Sequence, residues 1–338
     1  MKSYGKYPDI RLRRSRRNLF SRRLVRENRL TVDDLVYPVF LIEGHRMQIP
    51  VDAMPGINRI SIDNLDNVAS ECLALGIPAI ALFPYVENGL KTIDGREAFN
   101  ENGLIPKAVR MLKRKHPELG VITDAALDPY TNHGQDGLID ESGHILNDET
   151  VSILEKQALC CANAGADVIA PSDMMDGRVK RIRAVLEDSG FENTLILSYA
   201  SKFASNFYGP FREAVGSANT LGAKGKGTYQ LDFANEKEGL REVHFDIEEG
   251  ADFVMVKPGL PYLDVVKAIT QTYMIPTFVY QVSGEYAMLK AAFENKWLAE
   301  KPTILETLTC FKRAGASAIF TYFAIDAAKE IMDNKEWY

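Results

Sequence analysis

Ala164-Gly165-Ala166-Asp167-Val168-Ile169 is a phrase the chain repeats with changes. Glu249-Gly250-Ala251-Asp252-Phe253-Val254 and Ala314-Gly315-Ala316-Ser317-Ala318-Ile319 follow the same grammar, and Leu75-Gly76-Ile77-Pro78-Ala79-Ile80 is a looser copy. In each, a helical pattern ends in a glycine, which tolerates the left-handed cap conformation. Small or polar residues then turn the chain into an apolar run. The phrase is therefore a helix-to-strand junction. Working outward from it, β-rich runs alternate with amphipathic helical stretches from about residue 34 onward, the pattern of parallel strands with crossover helices. The expected strands are Val36–Leu41, Ala79–Phe83, Val121–Thr123, Val168–Ala170, Leu195–Leu197, Phe253–Val256, Thr277–Val282 and Ala318–Thr321. Helices are expected at Asp63–Leu75, Leu104–Lys115, Asp148–Ala164, Arg178–Ser189, Glu236–Glu249, Tyr262–Tyr273, Glu285–Asn295 and Ala324–Met332, with an extra one at Thr303–Ala314. Eight such units in roughly 300 residues suit a closed (β/α)8 TIM barrel. A doubly wound open sheet is the alternative, but no GxGxxG follows the first strand. The glycine-rich Gly222-Ala223-Lys224-Gly225-Lys226-Gly227-Thr228 does not have the Walker spacing.

The chain has 338 residues, 46% hydrophobic and 25% charged, which is the composition of an ordinary soluble globular protein with a substantial core. A formal net charge of -6 argues against a nucleic-acid or membrane partner for the chain as a whole. No apolar run is long enough to span a bilayer, and the N-terminus lacks the apolar stretch of a secretory signal. Residues 1–33 differ from the remaining 34–338. Arg11, Arg13, Arg14, Arg16, Arg17, Arg22, Arg23, Arg26 and Arg29 crowd there among few apolar residues, so this stretch cannot form its own core. It reads as an extended arm that packs on a neighbouring subunit or on its own barrel. Its basic character also raises a transit peptide, against which stand Asp9 and Glu27 within it. Cys72, Cys160, Cys161 and Cys310 all fall in helical patterns and make no CxxC pair, as expected of packing thiols in a reducing cytoplasm.

In such a barrel the chemistry lies at the C-terminal ends of the strands. Reading those ends yields Asp124 after strand three, Ser172 and Asp173 after strand four, and Tyr199 leading to Lys202 after strand five. Lys257 follows strand six, Ser283 strand seven and Tyr322 strand eight. Two lysines on adjacent strand ends are the informative pair, since strands lie about 4.8 Å apart. Neighbouring ammonium groups repel and burial desolvates them, and both effects lower a lysine's pKa. A neutral amine is what attacks a ketone to form an imine. The bland reading is two surface lysines whose stems cover apolar area. Residues Phe203–Asn235 form a long stretch with little regular pattern, rich in glycine and aromatics, and read as a lid. Phe211 lies in it, and Arg212, Lys224 and Lys226 there are candidates to clamp a substrate carboxylate. The polar stretch Asp124–Gly137 admits two readings. Asp124, Asp128 and Asp136 suit an amine or a hard cation, while Asp128-Pro129 and Asp136-Gly137 are also plain turn signals.

Three blocks taken in order carry a resemblance: Ser198-Tyr199-Ala200-Ser201-Lys202-Phe203-Ala204-Ser205, Tyr208-Gly209-Pro210-Phe211-Arg212 and Met255-Val256-Lys257-Pro258-Gly259. Across essentially its whole length the sequence resembles the 5-aminolevulinate dehydratases. The resemblance implies a lyase that condenses two 5-aminolevulinate molecules into the pyrrole porphobilinogen, an early step of tetrapyrrole biosynthesis, through two lysine imines. It implies that Lys257 holds the A-side substrate and Lys202 the P-side substrate. Arg212, Lys226 and Gln230 then match the groups on the A-side carboxylate, and Ser283 and Tyr322 those on the P-side carboxylate. Asp124 and Ser172 match groups near the P-side amine, with Tyr199 and Phe211 among the substrate-binding residues. Zinc-dependent members carry three cysteines where this chain has Ala126, Asp128 and Asp136, so no catalytic zinc is expected. The likeness is to the magnesium-responsive subgroup, with Glu242 matching the ligand of an allosteric Mg2+, and Asp128 and Asp136 as candidates for an active-site cation. It also implies a cytoplasmic homo-octamer in which the arm embraces a neighbour. No organic cofactor is implied. An aldolase would need one imine lysine rather than two, and an Arg-arm nucleic-acid binder would show steeply salt-dependent affinity.

Overall fold

The computed structural model describes residues 5–217 and 225–333. Eight parallel strands form a barrel: β1 (Leu35–Leu41), β2 (Ala79–Pro84), β3 (Gly120–Ala125), β4 (Val168–Pro171), β5 (Leu195–Lys202), β6 (Phe253–Lys257), β7 (Thr277–Gln281) and β8 (Ala318–Thr321). Each pairs with the next, and β8 returns to β1 through Leu35 opposite Ile319 and Val36 opposite Phe320. That last pairing closes the barrel and removes the open-sheet alternative. Around it lie α1 (Ile62–Ala74), α2 (Leu104–Lys115), α3 (Asn147–Ala164), α4 (Arg178–Asp188), α5 (Glu236–Glu248), α6 (Leu263–Thr272), α7 (Ser283–Glu294) and α8 (Ala324–Asp333). The expected additional helix, Glu300–Ala314, precedes β8. A short antiparallel hairpin, Gln48–Pro50 with Asn58–Ile60, extends the mouth end of β1.

The repeated phrase works as a junction in two ways. Gly165 and Gly315 cap their helices with φ of 102° and 113°, a region costly for any side chain. The aspartate that follows then pins the strand next door. Asp167 accepts the Val121 amide at 2.8 Å and pairs with Lys113 at 2.9 Å, and Asp252 accepts the Ile196 amide at 2.7 Å. Strand starts are thus tied to their neighbours by side chains as well as by the ladder.

Two expectations change. β5 continues past Leu197 to Lys202, with a bulge between Ser198 and Ser201. Its hydroxyls let a polar sequence run on as buried strand: Ser198 bonds Asp246, and Ser201 donates to the Gly239 carbonyl, both on α5. The stretch after it is more ordered than expected. It forms a turn at Asn206–Tyr208 and a short helix at Gly209–Ala214, and Phe203 bridges to Leu231. Lys224 lies outside the described residues.

The arm holds a helical turn at Leu12–Arg14 and a short helix at Leu19–Leu24, neither with a buried side chain, and the chain enters the core at Leu30. Cys72, Cys160 and Cys161 are buried and all four cysteines are free. Among the described residues no helix is long and apolar enough to cross a membrane.

Candidate active site

Lys257 ends β6 and Lys202 ends β5, and the two lie opposite each other in the ladder. Both are buried. Their surroundings differ sharply. The Lys257 ammonium nitrogen sits in an aromatic cage, 4.6 Å from the ring centre of Tyr280, 4.9 Å from Phe211, 5.0 Å from Tyr199 and 5.4 Å from Tyr208. Among the described residues it has no hydrogen-bond acceptor and no ion-pair partner. Burial, reinforced by the neighbouring Lys202, pushes its pKa down to about 7. Half of such a lysine is a neutral nucleophile near neutrality. Lys202 donates to the Ser172 carbonyl and lies 3.5 Å from Asp136.

Asp136 is the hub of the opposite wall. Its carboxylate takes Lys226 at 2.7 Å, Lys202 at 3.5 Å and the Gln230 amide at 3.4 Å, while Asp128 takes Lys226 at 3.4 Å. Burial alone would raise Asp136, but the two ammonium groups hold it well below the usual carboxylate range. Burial would likewise lower Lys226, and Asp128 and Asp136 reverse that and hold it up. Asp124, next to last in β3, makes no hydrogen bond to a cation among the described residues. Burial, with Asp128 adding to it, raises its pKa to about 7 against Lys202 and Lys257, and its Oδ1 makes no hydrogen bond. A carboxyl poised there can carry a proton at neutral pH.

Ser283 and Tyr322 lie on the Lys257 side. Ser283 Oγ accepts the Phe211 amide at 2.9 Å, and the Tyr322 hydroxyl meets that of the cage residue Tyr280 at 3.0 Å. Phe211 also packs on Phe83 and Phe40 from the barrel, at 5.4 and 5.6 Å between ring centres. The structure brings Lys202, Lys257, Arg212, Lys226 and Gln230 to one cavity. Lys257 shares its surroundings with Ser283 and Tyr322, and Lys202 shares Asp136 with Lys226 and Gln230. Strand order is the physical reason: β6 adjoins β7, whereas β5 adjoins β4 and faces the Asp124–Gly137 loop. Arg212 lines the same cavity, together with Asp124, Ser172 and Gln230. Its free space is about 30 Å3.

Asp128 and Asp136 fit an active-site cation poorly. Lys226 and Lys202 already supply the positive charge that would balance these two carboxylates. Ala126, a zinc-ligand position by resemblance, offers no donor. Glu242 is on α5, outside this cavity. Burial raises its carboxyl pKa, with Arg178 opposing and Asp246, Asp176 and Glu238 adding to the rise.

Several contributors were not read from the sequence. Tyr280 was legible in principle, since it is an aromatic in an expected strand beside the Ser283 end. Arg59 and Lys91 were not. Arg59 donates to the carbonyls of Ala214 at 2.7 Å and Glu213 at 2.6 Å, and Lys91 to that of Gly216 at 2.8 Å. Together they hold the end of the short helix that carries Phe211. Gln135 and Tyr229 bond each other at 2.8 Å, and Gln135 also donates to the Gly225 carbonyl, tying the covering segment to the Asp124–Gly137 loop.

A closed parallel barrel with one caged and one ion-paired lysine at its C-terminal mouth defines a lysine-centred (β/α)8-barrel protein. The family model described as delta-aminolevulinic acid dehydratase matches residues 9–330. A Bradyrhizobium diazoefficiens protein of that name is 54% identical over 95% of this chain and 91% of its own, and one from Synechocystis is 48% identical over 97% and 100%. The crystal structure of the Toxoplasma gondii enzyme, delta-aminolevulinic acid dehydratase (porphobilinogen synthase) in complex with the reaction product porphobilinogen, superposes with a TM-score of 0.94. It is 47% identical and covers 96% of this chain and 92% of its own. The chain belongs to the delta-aminolevulinic acid dehydratase family.

Proposed function

We propose that this chain is a porphobilinogen synthase, condensing two 5-aminolevulinate molecules into porphobilinogen with loss of two waters, and that Lys257 and Lys202 each hold one substrate as an imine. The observation that carries the reading is the caged Lys257, a buried amine with no ion-pair partner among the described residues and a pKa near 7, opposite a second buried lysine. Above that pKa the amine adds to the substrate ketone carbon, and the hydroxyl of the adduct leaves as water once protonated. Asp124 is placed to supply that proton. The cage keeps bulk water from the imine, which would otherwise hydrolyse.

On this reading Ser283 and Tyr322 receive the carboxylate of the Lys202-bound substrate. Lys226, Gln230 and Arg212 receive that of the Lys257-bound one. Lys226 and Gln230 are now held by Asp136, so the second carboxylate competes with an internal one. A Mg2+ ion on Glu242 that favours a homo-octamer, with the arm on a neighbour and the enzyme in the cytoplasm, completes the proposal. One protein carboxylate suffices for an ion that keeps most of its waters.

Pyrrole formation from 5-aminolevulinate is the test, run with EDTA and again after adding Mg2+ or Zn2+. Expected is activity that survives EDTA in part and rises with Mg2+ but not with Zn2+. No pyrrole under any condition sinks the proposal, and a zinc requirement sinks its metal half.

A further inference from the structure

We propose that Glu285 is a positioning residue for this reaction, fixing as one piece the loop that follows Lys257 and the helix start that carries Ser283. This rests on the reading of Lys257 as an imine-forming lysine. Glu285 lies in the first turn of α7 and is fully buried. Its Oε1 accepts the Leu260 amide at 2.7 Å, and its Oε2 accepts the amides of Val282 at 2.7 Å and Gly259 at 3.2 Å. Among the described residues no cation pairs with it. A buried carboxylate without a counter-ion is costly, and here only backbone N–H groups offset that cost. Burial raises its pKa to about 7 against those three bonds.

An ordinary capping carboxylate bonds the N–H that precedes its own helix. Val282 accounts for that bond. The other two donors belong to the second and third residues after Lys257, on a different loop. The rest of the joint is equally constrained. The Lys257 carbonyl accepts the Phe203 amide at 2.9 Å and the Tyr208 hydroxyl at 3.1 Å. Ser283 accepts the Phe211 amide and donates to the Phe207 carbonyl at 3.4 Å. Next to it Gly284 admits the Phe207 backbone so closely that an added Cβ would stand 2.5 Å from its oxygen. One carboxylate therefore joins the amine's loop, the Ser283 hydroxyl and the ring of Phe211 that covers the amine.

The test compares Glu285→Gln and Glu285→Asp in the full chain. Gln keeps the shape but offers one acceptor oxygen, and its NH2 would face backbone donors. The protein is incubated with 5-aminolevulinate and borohydride, and the reduced adducts at Lys257 and Lys202 are quantified separately by peptide mass spectrometry. In a folded Glu285→Gln chain, trapping at Lys257 is expected to fall about tenfold, as for a lost charge-assisted bond, while Lys202 trapping changes little. Glu285→Asp, which keeps the charge but reaches less far, is expected to recover part of the Lys257 signal. Equal losses at both lysines, or an unchanged Lys257 signal, overturn the positioning role. Should Glu285→Gln not fold, the same ratio in Glu285→Asp decides. Absence of Lys257 trapping in the unaltered chain would instead fault the imine reading itself.

Discussion

Lys257 and Lys202 stand on adjacent strand ends, yet one meets four aromatic rings and the other a carboxylate. The strand-end pattern placed both lysines, because a barrel exposes its strand termini at one mouth. It could not separate their roles, because those depend on side chains that arrive from β7, from the Asp124–Gly137 loop and from the covering segment. Asp136 was left open between cation ligand and turn residue for the same reason: its partners Lys226 and Gln230 lie some ninety residues away in sequence. The caged lysine has consequences for pH. Its folded pKa of about 7 lies below the ordinary lysine value of about 10.4, so the neutral, reactive form grows as pH rises through 7. Activity is expected to climb from pH 6 to 8, and a rate highest at pH 5 would contradict this. The same shift makes the folded state bind fewer protons than the unfolded one between those values, so Lys257 costs stability most below about pH 7 and least near pH 10. Lys257→Met is therefore expected to abolish pyrrole formation and raise Tm by roughly 2–4 °C at pH 7, with the gain shrinking toward pH 10. Thermal scans across that range check it.

The junction phrase marks the starts of β2, β4, β6 and β8, and the other four strands are legible as β-rich runs between helical stretches. β5 was read too short because Ser198, Ser201 and Lys202 look like loop residues until α5 and β6 supply their partners. The short helix Gly209–Ala214 was not visible as an element. Six residues carry too little periodicity, and its position comes from outside contacts. Arg59 on the hairpin supplies two of them, to the carbonyls that a helix leaves unpaired at its end. Because this helix brings Phe211 over Lys257, Arg59→Ala is expected to raise KM for 5-aminolevulinate by about tenfold, on the scale of lost bonds from a charged donor. Steady-state kinetics with an intact circular dichroism spectrum is the check. An unchanged KM would mean that Lys91 and the aromatic packing hold the helix without it.

At the scale of the molecule, the arm before Leu30 leaves a run of apolar residues uncovered. Tyr7, Leu12, Phe20 and Leu24 are all at least 65% exposed, which suits the proposed packing of the arm on another copy. Removing residues 1–29 is expected to convert the proposed octamer into smaller species by sedimentation velocity, and an unchanged assembly would contradict that role for the arm. The barrel, the mouth and the family could all be read from sequence, whereas the different surroundings of the two lysines needed the packed strands. The central claim is that two amines, not one, become imines with 5-aminolevulinate. Borohydride reduction followed by peptide mass spectrometry tests it most directly. The expected result is a reduced adduct on Lys257 and another on Lys202, with Lys257→Met and Lys202→Met each losing their own adduct and all pyrrole formation. Pyrrole formed at the normal rate by either variant, or adducts at neither lysine in an active chain, would contradict it.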